Sequence, residues 1–465
     1  MTLSQQLVAR LRSLPSAGIP LEVHEAAKLH LLDAIGVGLA AAATGAGAPY
    51  LAAARALNGS GGPASIFGSR DGFSAATAAL ANGGMIHGLE YDDTHAASIV
   101  HGSSVLAAAA LAAAESSGAG GVDLLTAYIK GWEALIRVGL AAPGKFQAQG
   151  FQITSVGGTL AAALLASELF GLDDVRSVDA IGIALSQSSG VFEFLTNGST
   201  VKSLHAGWAA HGGVAAATLA GVGLTGPVTA FEGRFGLFRR FAMDTDAASR
   251  FAASIETLGT EWYLPQAAFK FYPCCHYIHP FIEAVEIALA QNPGRTVESI
   301  VCEVPPGAAA IISDPWERKL KPQSGHDARY SLPIALAACL VEGAVTPATF
   351  ANAPGAEIVA RAESISARDM RDADFPQRFE ARLQVTFADA GTTEVYVEDV
   401  FGGARRPPSR DAVLKKFRAN AGLIGNEDDV RTLEAAVLMI EGKPTAEITR
   451  ALRRLQPVAV ARAAE

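Results

Sequence analysis

The first 265 residues alternate between apolar helical stretches and short breaks at glycine and proline. Apolar side chains recur at spacings of three and four in residues 26–43, 104–115 and 122–138, which is the period of an amphipathic helix. The breaks fall at residues 142–144 and 225–227, because glycine and proline destabilise the interior of a helix. The pattern predicts a bundle of consecutive helices with almost no strand.

Small side chains supply much of the apolar content of these helices. Half of the 465 residues are hydrophobic, but 7% are aromatic, 18% are charged and 47 are glycine. The charged fraction is below the roughly 25% of an average soluble chain, so we expect closely packed helices. Apolar runs such as residues 35–43 and 105–114 are shorter than the roughly 18 residues of a membrane span, which favours a soluble protein without a membrane partner.

Charge and cysteine usage exclude further classes. The 37 basic and 46 acidic residues give a formal charge of −9, which offers no attraction to a nucleic acid or an anionic bilayer. The four cysteines include no C-x-x-C pair, and residues 1–12 lack the apolar run of a signal peptide. We therefore expect a cytoplasmic protein that binds no nucleic acid.

The sequence pattern changes after Pro273. A β-branched run at residues 299–304 is followed by alternation at 382–387 and a second strand at 392–400, which predicts a hairpin. Helical patterning lies between and after these strands, at residues 332–342, 350–363, 415–418 and 428–441. The fold class we predict is mainly α: a helical domain (1–266 and 408–465) interrupted by a smaller α/β domain (267–407).

Carboxylates and histidines are concentrated between residues 87 and 101. His87, Glu90, Asp92, Asp93 and His95 lie within nine residues, and a third imidazole, His101, precedes an apolar helix. Crowded carboxylates and imidazoles perturb each other's pKa values, as a general acid and base pair requires. The spacing matches neither H-E-x-x-H nor an EF-hand loop, so no metal is predicted. The alternative is a solvated acidic loop that caps the following helix.

Two further clusters carry cations. Lys202 and His205 lie three residues apart in residues 197–207, where a helix would place both beside one carboxylate. The alternative is a surface lysine with a partly buried histidine. Lys270, His276 and His279 lie near the predicted domain boundary, where ligand pockets form.

The adjacent Cys274 and Cys275 are expected to be small buried side chains. Arg329 precedes Tyr330 and Ser331 and could grip a carboxylate with two hydrogen bonds, although a lone arginine is usually a surface residue.

In their order and spacing, these segments resemble the MmgE/PrpD family over nearly the whole chain. The segments that carry the resemblance are residues 32–36, 90–94 with His101, 150–158, 197–207, 225–227, 232–233, 270–280 and 328–331. The resemblance implies a helical main domain, an inserted α/β lid and a homodimer. Known members include 2-methylcitrate dehydratase, cis-aconitate decarboxylase and iminodisuccinate epimerase, which move protons at carbon on small carboxylate substrates without a required metal or organic cofactor.

The resemblance also implies roles for individual residues. We expect His101, ordered by Asp93, to exchange a proton with the substrate while cationic side chains neutralise its carboxylates. The catalytic candidates are Asp93, His101, Lys202 and His279. The substrate-binding candidates are Glu90, Thr94, Gln152, His205, Lys270, Arg329 and Tyr330.

The chain departs from the family at three positions. Many members have Asp where Glu90 stands, Pro where Gly102 follows His101, and His where Gln152 stands. An amide is neither an acid nor a base near pH 7. The leading hypothesis is a cofactor-independent lyase of the 2-methylcitrate dehydratase type. The alternatives are an epimerase or isomerase of an imino- or amino-dicarboxylate, a cis-aconitate-type decarboxylase and a non-catalytic carboxylate-binding protein.

Overall fold

The chain forms two compact units, seen in a computed structural model that describes residues 1–58, 61–196 and 198–456. Unit 1 contains Met1–Gly88, Asp92–Phe269 and Ser409–Glu465, and unit 2 contains Leu89–Tyr91 and Lys270–Pro408. The domain boundaries expected from sequence, 266/267 and 407/408, left residues 89–91 in the helical domain. The structure groups these residues with unit 2 instead. Asn197 of the second cluster and residues 59, 60 and 457–465 lie outside the described ranges.

Unit 1 is mainly helical. Its first two segments contain a two-stranded antiparallel pair, β1 (Ala64–Ser65) and β2 (Gly72–Phe73). Their helices are α1 (Leu3–Arg12), α2 (Leu21–Ala43), α3 (Ala48–Asn58), α4 (Ala75–His87), α5 (Gly102–Ser117), α6 (Gly121–Ala141), α7 (Lys145–Ala148), α8 (Ile153–Leu169), α9 (Asp174–Leu185), α10 (Val201–Gly221) and α11 (Ala247–Glu256). The predicted breaks at residues 142–144 and 225–227 are confirmed as the end of α6 and a loop after α10.

Unit 2 contains a four-stranded sheet and short helices. The helices are α12 (His279–Gln291), α13 (Pro306–Ile312), α14 (Trp316–Lys319), α15 (Gly325–Ala328), α16 (Leu332–Glu342) and α17 (Ala356–Ala362). The strands are β3 (Val297–Val304), β4 (Ile365–Asp369), β5 (Ala381–Phe387) and β6 (Thr392–Val397). The strand order is β4-β3-β5-β6, with β3 and β4 parallel and the other pairs antiparallel. Unit 1 then resumes with α18 (Arg410–Ala421), α19 (Glu427–Leu438) and α20 (Thr445–Arg454).

Most predicted elements of unit 2 are confirmed, and one is wrong. The predicted hairpin is β5 paired with β6, in the register Leu383 opposite Val395. The predicted helix over residues 350–363 begins only at Ala356. Pro354 disfavours helical backbone at the residue before it and lacks an N–H, so the helix starts after Gly355. The mainly α fold class is confirmed by the element content of the described chain.

Glycines allow the central helices of unit 1 to approach closely. A Cβ atom on Gly207 of α10 would lie 2.3 Å from the carbonyl oxygen of Leu80 in α4. A Cβ atom on Gly83 of α4 would lie 2.8 Å from the Cα atom of Gly207. Any larger side chain at these positions would push α4 and α10 apart, and both helices carry residues of the candidate site.

The helix α2 is long and apolar enough to cross a membrane by length and composition, but most of that stretch is buried. Its buried Asp33 pairs with Lys416 of α18, whose Nζ lies 2.7 and 2.9 Å from the two carboxylate oxygens. Burial raises the pKa of Asp33 and lowers the pKa of Lys416, and their mutual attraction opposes both shifts. The pair joins the C-terminal helices to the centre of unit 1.

Replacing Lys416 with methionine is expected to destabilise the protein strongly. The variant leaves the Asp33 carboxylate buried without its cation, which costs about 3–5 kcal/mol. The double variant Asp33→Leu/Lys416→Met removes both charges and should recover most of the loss. Urea unfolding of the three proteins measures this, and a single variant as stable as the wild type would contradict the account.

Candidate active site

Four helix ends meet around the first predicted cluster, all within unit 1. His87 is the last residue of α4, His101 precedes α5, Gln152 precedes α8, and His205 lies in the second turn of α10. The backbone N–H of His101 donates to Thr154 Oγ1 at 3.0 Å, which ties the start of α5 to the start of α8. Three of the four ends are N-terminal, and the helix dipole makes such ends favourable for anions.

His87 and Asp92 form a fully buried pair. The distance between His87 Nδ1 and Asp92 Oδ2 is 2.8 Å, and neither side chain is exposed. A buried carboxylate is stable only when it is paired or hydrogen-bonded, so His87 secures the ionised form of Asp92. The interpretation of residues 87–101 as a solvated acidic loop is therefore wrong.

The neighbouring Asp93 is held by a second buried network. Its Oδ2 accepts from His30 Nδ1 at 2.8 Å and from the Ser103 hydroxyl, and its Oδ1 accepts from the Ser103 N–H at 3.1 Å. Ser103 Oγ also lies 2.5 Å from the hydroxyl of Tyr128. His30, Ser103 and Tyr128 were missed as site residues, because nothing in the sequence links α2 and α6 to this loop.

His101 is the more open imidazole of the cluster, with 14% of its side chain exposed. Its Nδ1 lies 3.1 Å from the backbone oxygen of Asp93 and 2.9 Å from Thr94 Oγ1. A carbonyl oxygen accepts only, so Nδ1 carries a proton and the lone pair of the neutral ring is on Nε2. The Asp92 carboxylate lies 3.9 Å from the same Nδ1 and favours a proton on the ring.

The predicted ordering of His101 by Asp93 needs a correction. The Asp93 carboxylate is committed to His30 and Ser103, and the contact with His101 comes from the Asp93 main chain. The nearer carboxylate to the His101 ring is that of Asp92. The two adjacent side chains point to different partners, so a motif of two carboxylates does not say which one serves the histidine.

Gln152 and His205 continue the cluster. Gln152 Nε2 lies 3.3 Å from His87 Nε2, and Gln152 Oε1 lies 2.6 Å from His205 Nδ1. Lys202 is on the same helix three residues before His205 and is 9% exposed. The alternative of an ordinary surface lysine is therefore wrong for Lys202.

A metal ion would have to compete with these hydrogen bonds. One ligand atom from each of His87, Asp92 and His101 can lie within 4.8 Å of the others, a spacing that an ion can bridge. Both ring nitrogens of His87 are already hydrogen-bonded, to Asp92 and to Gln152. A zinc-type site needs a deprotonated ring nitrogen directed at the metal, so metal binding would break one of these two bonds.

The remaining predicted residues belong to unit 2. Lys270 Nζ donates to the main-chain oxygen of Glu90 at 3.2 Å and lies 3.7 Å from Glu90 Oε2. The Tyr330 hydroxyl is also hydrogen-bonded to Glu90. Arg329 is 5% exposed and donates to the carbonyl of Phe350. These residues form a buried group in which two cations accompany one carboxylate, and the interpretation of Arg329 as a surface residue is wrong.

His279 begins α12 in the same unit. Its Nε2 lies 3.3 Å from the carbonyl oxygen of Cys274, so this nitrogen donates to the main chain. Cys274 and Cys275 are buried thiols, as predicted, and burial raises the pKa of Cys274 well above its ordinary value. The thiol of Cys274 is therefore a poor nucleophile.

Comparisons with known proteins agree with these motifs. The MmgE/PrpD N-terminal domain model matches residues 5–249, and the MmgE/PrpD C-terminal domain model matches residues 272–441. A cis-aconitate decarboxylase-like protein, oryM, from Aspergillus oryzae is 29% identical over 92% of both chains. Cis-aconitate decarboxylase from Aspergillus terreus is 27% identical over 92% of this chain and 91% of its own. The Homo sapiens enzyme of that name is 30% identical over 78% and 76%.

The buried histidines of unit 1 are expected to make stability depend on pH. Burial lowers the pKa of His95 to about 4, and burial together with the neighbouring His87 and Lys202 lowers the pKa of His205 to about 4. An unfolded histidine titrates near pH 6.5. Between these values the unfolded state binds more protons, so the free energy of unfolding falls as the pH drops from roughly 6.5 to 4.

The variant His95→Asn removes one of these groups and should show a shallower fall. The unfolding midpoint of each protein is measured between pH 4 and 7 and compared with its own value at pH 7. If the unfolding midpoint falls equally steeply with pH in the variant and the wild type, the assignment of a low pKa to His95 is contradicted.

Proposed function

This chain belongs to the MmgE/PrpD family, and we propose that it is a cofactor-independent lyase of a small di- or tricarboxylate. The observation that carries the proposal is the geometry of His101. Its Nδ1 contacts the Asp93 main chain and the Thr94 hydroxyl, and its side chain is the partly open one beside the buried His87–Asp92 pair.

His101 has the features of a proton-transfer group. Its Nδ1–H keeps its acceptors whether or not Nε2 is protonated, so the ring can gain and lose a proton without reorienting. The Asp92 carboxylate, 3.9 Å away, stabilises the protonated ring by charge. Proton transfer at carbon requires a group that is held in one position and can act as a base and as an acid.

Lys202 and the helix N-termini supply the positive charge that such a reaction needs. A carbon next to a carboxylate develops negative charge when it loses a proton or a CO2 group, and fixed donors lower that barrier. Lys202 stands in the first turn of α10, three residues before His205, and acts electrostatically on that ring. In the proposal it binds a carboxylate of the substrate.

Decarboxylation of a cis-aconitate type is the first reaction to test. The relatives that match most of the chain carry that activity in their names. In this reaction the bond between carbon and a carboxylate breaks, CO2 leaves, and His101 delivers a proton to the electron pair left on carbon. Dehydration of the 2-methylcitrate type, which the sequence favoured first, is the second candidate. Epimerisation of an imino- or amino-dicarboxylate and simple carboxylate binding are the outcomes that would replace both.

A substrate panel tests the function directly. Chelator-treated protein is incubated with cis-aconitate, citrate, 2-methylcitrate and iminodisuccinate, and products are followed by proton NMR. Loss of a carboxylate group from the substrate, or interconversion of an alkene and a hydroxy acid, supports the lyase. Conversion of iminodisuccinate to a stereoisomer without either change supports an epimerase. Silence with all four, despite ligand-induced thermal stabilisation, supports a binding protein.

The variant His101→Asn is expected to lower kcat by about 10²–10⁴-fold, because it removes the Nε2 proton-transfer position. The asparagine amide retains an N–H near the position of Nδ1, so the loop contacts can persist. The control is His211→Asn, since His211 lies on α10 and its Nδ1 bonds only the Ala76 carbonyl among the described residues. Steady-state kinetics with the identified substrate measure both, and a His101→Asn variant with wild-type kcat would remove His101 from the mechanism.

We also propose that the chain forms a homodimer through an apolar face of α10. Val201, Trp208 and Leu219 are 38–40% exposed, and Trp208 and Leu219 follow Val201 by about two and five helical turns. The three side chains therefore share one face. A row of exposed apolar residues is typical of an interaction surface.

Light scattering measures the mass of the protein in solution and so tests the dimer. The expected mass is about twice the 48.0 kDa of one chain, and Trp208→Glu should shift it toward one chain. Met439→Glu changes another exposed apolar residue, which follows the end of α19, and serves as the control. A wild-type mass near 48.0 kDa would contradict the proposal. The cytoplasmic location and the absence of nucleic-acid and membrane partners stay predictions.

A further inference from the structure

Gln152 connects two histidines and fixes which nitrogen of each carries the proton. Its amide NH2 only donates and its carbonyl only accepts, so His87 Nε2 accepts from Gln152 and His205 Nδ1 donates to it. The neutral His87 ring then carries its proton on Nδ1, 2.8 Å from the Asp92 carboxylate. The hydrogen bonds run in one direction, from His205 through Gln152 and His87 to Asp92.

The reversed amide would be less consistent with its surroundings. Its carbonyl would face His87 Nε2, which would then need a second proton on a fully buried ring. Its NH2 would face His205 Nδ1, at the short distance of 2.6 Å. With the observed direction, each of the three contacts pairs one donor with one acceptor, and neither ring needs a second proton.

The main chain holds Gln152 in place. Its backbone N–H donates to the carbonyl of Gly190 at 3.0 Å, and Ser155 Oγ donates to the carbonyl of His205 at 3.0 Å. These bonds join the start of α8 to the loop before α10 and to α10 itself. A side chain supported in this way keeps the orientation of the ring that it contacts.

The hydrogen bond to Gln152 makes Nε2 the acceptor nitrogen of the His205 ring. With the proton on Nδ1, the lone pair of the neutral ring is on Nε2, which has no hydrogen-bond partner within residues 1–58, 61–196 and 198–456. Burial, together with His87 and Lys202, lowers the pKa of His205 to about 4, so the ring is neutral near pH 7. A lone pair accepts a hydrogen bond and repels a carboxylate oxygen.

We propose that Gln152 is a positioning residue that presents His205 Nε2 as a hydrogen-bond acceptor for a substrate hydroxyl, next to the carboxylate that Lys202 binds. The inference rests on the proposed function, because it assumes a carboxylate in the site. It changes the sequence-based expectation that Lys202 and His205 share one carboxylate. In its place, Lys202 binds the anion and His205 selects a ligand that carries an O–H group beside it. Because cis-aconitate has no such hydroxyl and 2-methylcitrate has one, this inference favours dehydration of a hydroxylated carboxylate over decarboxylation.

The tautomer is tested without turnover by nitrogen-15 NMR of the histidine rings at pH 7, with His205→Asn used to assign the signals. The wild type should show His205 protonated on Nδ1 alone. In Gln152→Met, an apolar side chain of similar length, that restriction should be lost. Gln152→Glu places a carboxylate beside His205 Nδ1 and should favour a ring protonated on both nitrogens, which is a third signature. A wild-type ring protonated on Nε2, or an unchanged signature in Gln152→Met, would overturn the proposal.

The hydroxyl preference is tested by calorimetry with citrate and with propane-1,2,3-tricarboxylate, which differ only in the hydroxyl group. One hydrogen bond of ordinary strength predicts about ten-fold tighter binding of citrate by the wild type. The ratio should approach one in Gln152→Met. Equal binding of the two ligands by the wild type would refute the preference. If neither ligand binds, the carboxylate site is refuted, and the hydroxyl preference with it. The NMR result still decides the role of Gln152 in that case.

Discussion

The burial of two consecutive carboxylates, Asp92 and Asp93, is the constraint on which the rest of unit 1 depends. Each charge would be costly in a protein interior without partners. His87 supplies the partner for Asp92, and His30 with Ser103 supplies the partners for Asp93. These partners come from α4, α2 and the start of α5, so forming the hydrogen bonds brings three helices of unit 1 together. The small residues of α4 and α10 then allow His205 and Lys202 to approach the same place.

Much of the fold could be predicted from the sequence because its signals are local. Apolar periodicity and glycine or proline breaks determine helices within about twenty residues, and the alternation at residues 382–387 identified the hairpin. The prediction of a helix over residues 350–363 was wrong before Ala356, because the backbone restriction that Pro354 imposes outweighs apolar periodicity. Residues 89–91 group with unit 2 through contacts such as Glu90 with Lys270, which are distant in sequence and leave no local pattern.

The site was predictable in its residue types and not in its pairings. Motif order identified His101, Lys202, Gln152 and His205, and the structure places all four in unit 1. The sequence motif assigned Asp93 to His101, whereas the Asp93 side chain binds His30, 63 residues earlier in the chain. Hydrogen-bond partners depend on side-chain directions in three dimensions, so a sequence pattern can name the members of such a network without giving its connections. Gln152 illustrates this, since as an isolated amide it suggests lost chemistry, yet its two hydrogen bonds set the proton positions of two rings.

The central claim is that His101 transfers a proton to or from a carbon atom of a small carboxylate. The most direct measurement is the deuterium content at carbon after reaction in heavy water, determined by mass spectrometry on product and recovered substrate together. Decarboxylation, epimerisation, and dehydration run in reverse from the alkene each add a proton to carbon, so an imidazole that equilibrates with solvent predicts one deuterium bound to carbon in each product molecule. His101→Asn should slow this incorporation by the same factor as kcat. Product of such a reaction with no deuterium on carbon would contradict the account.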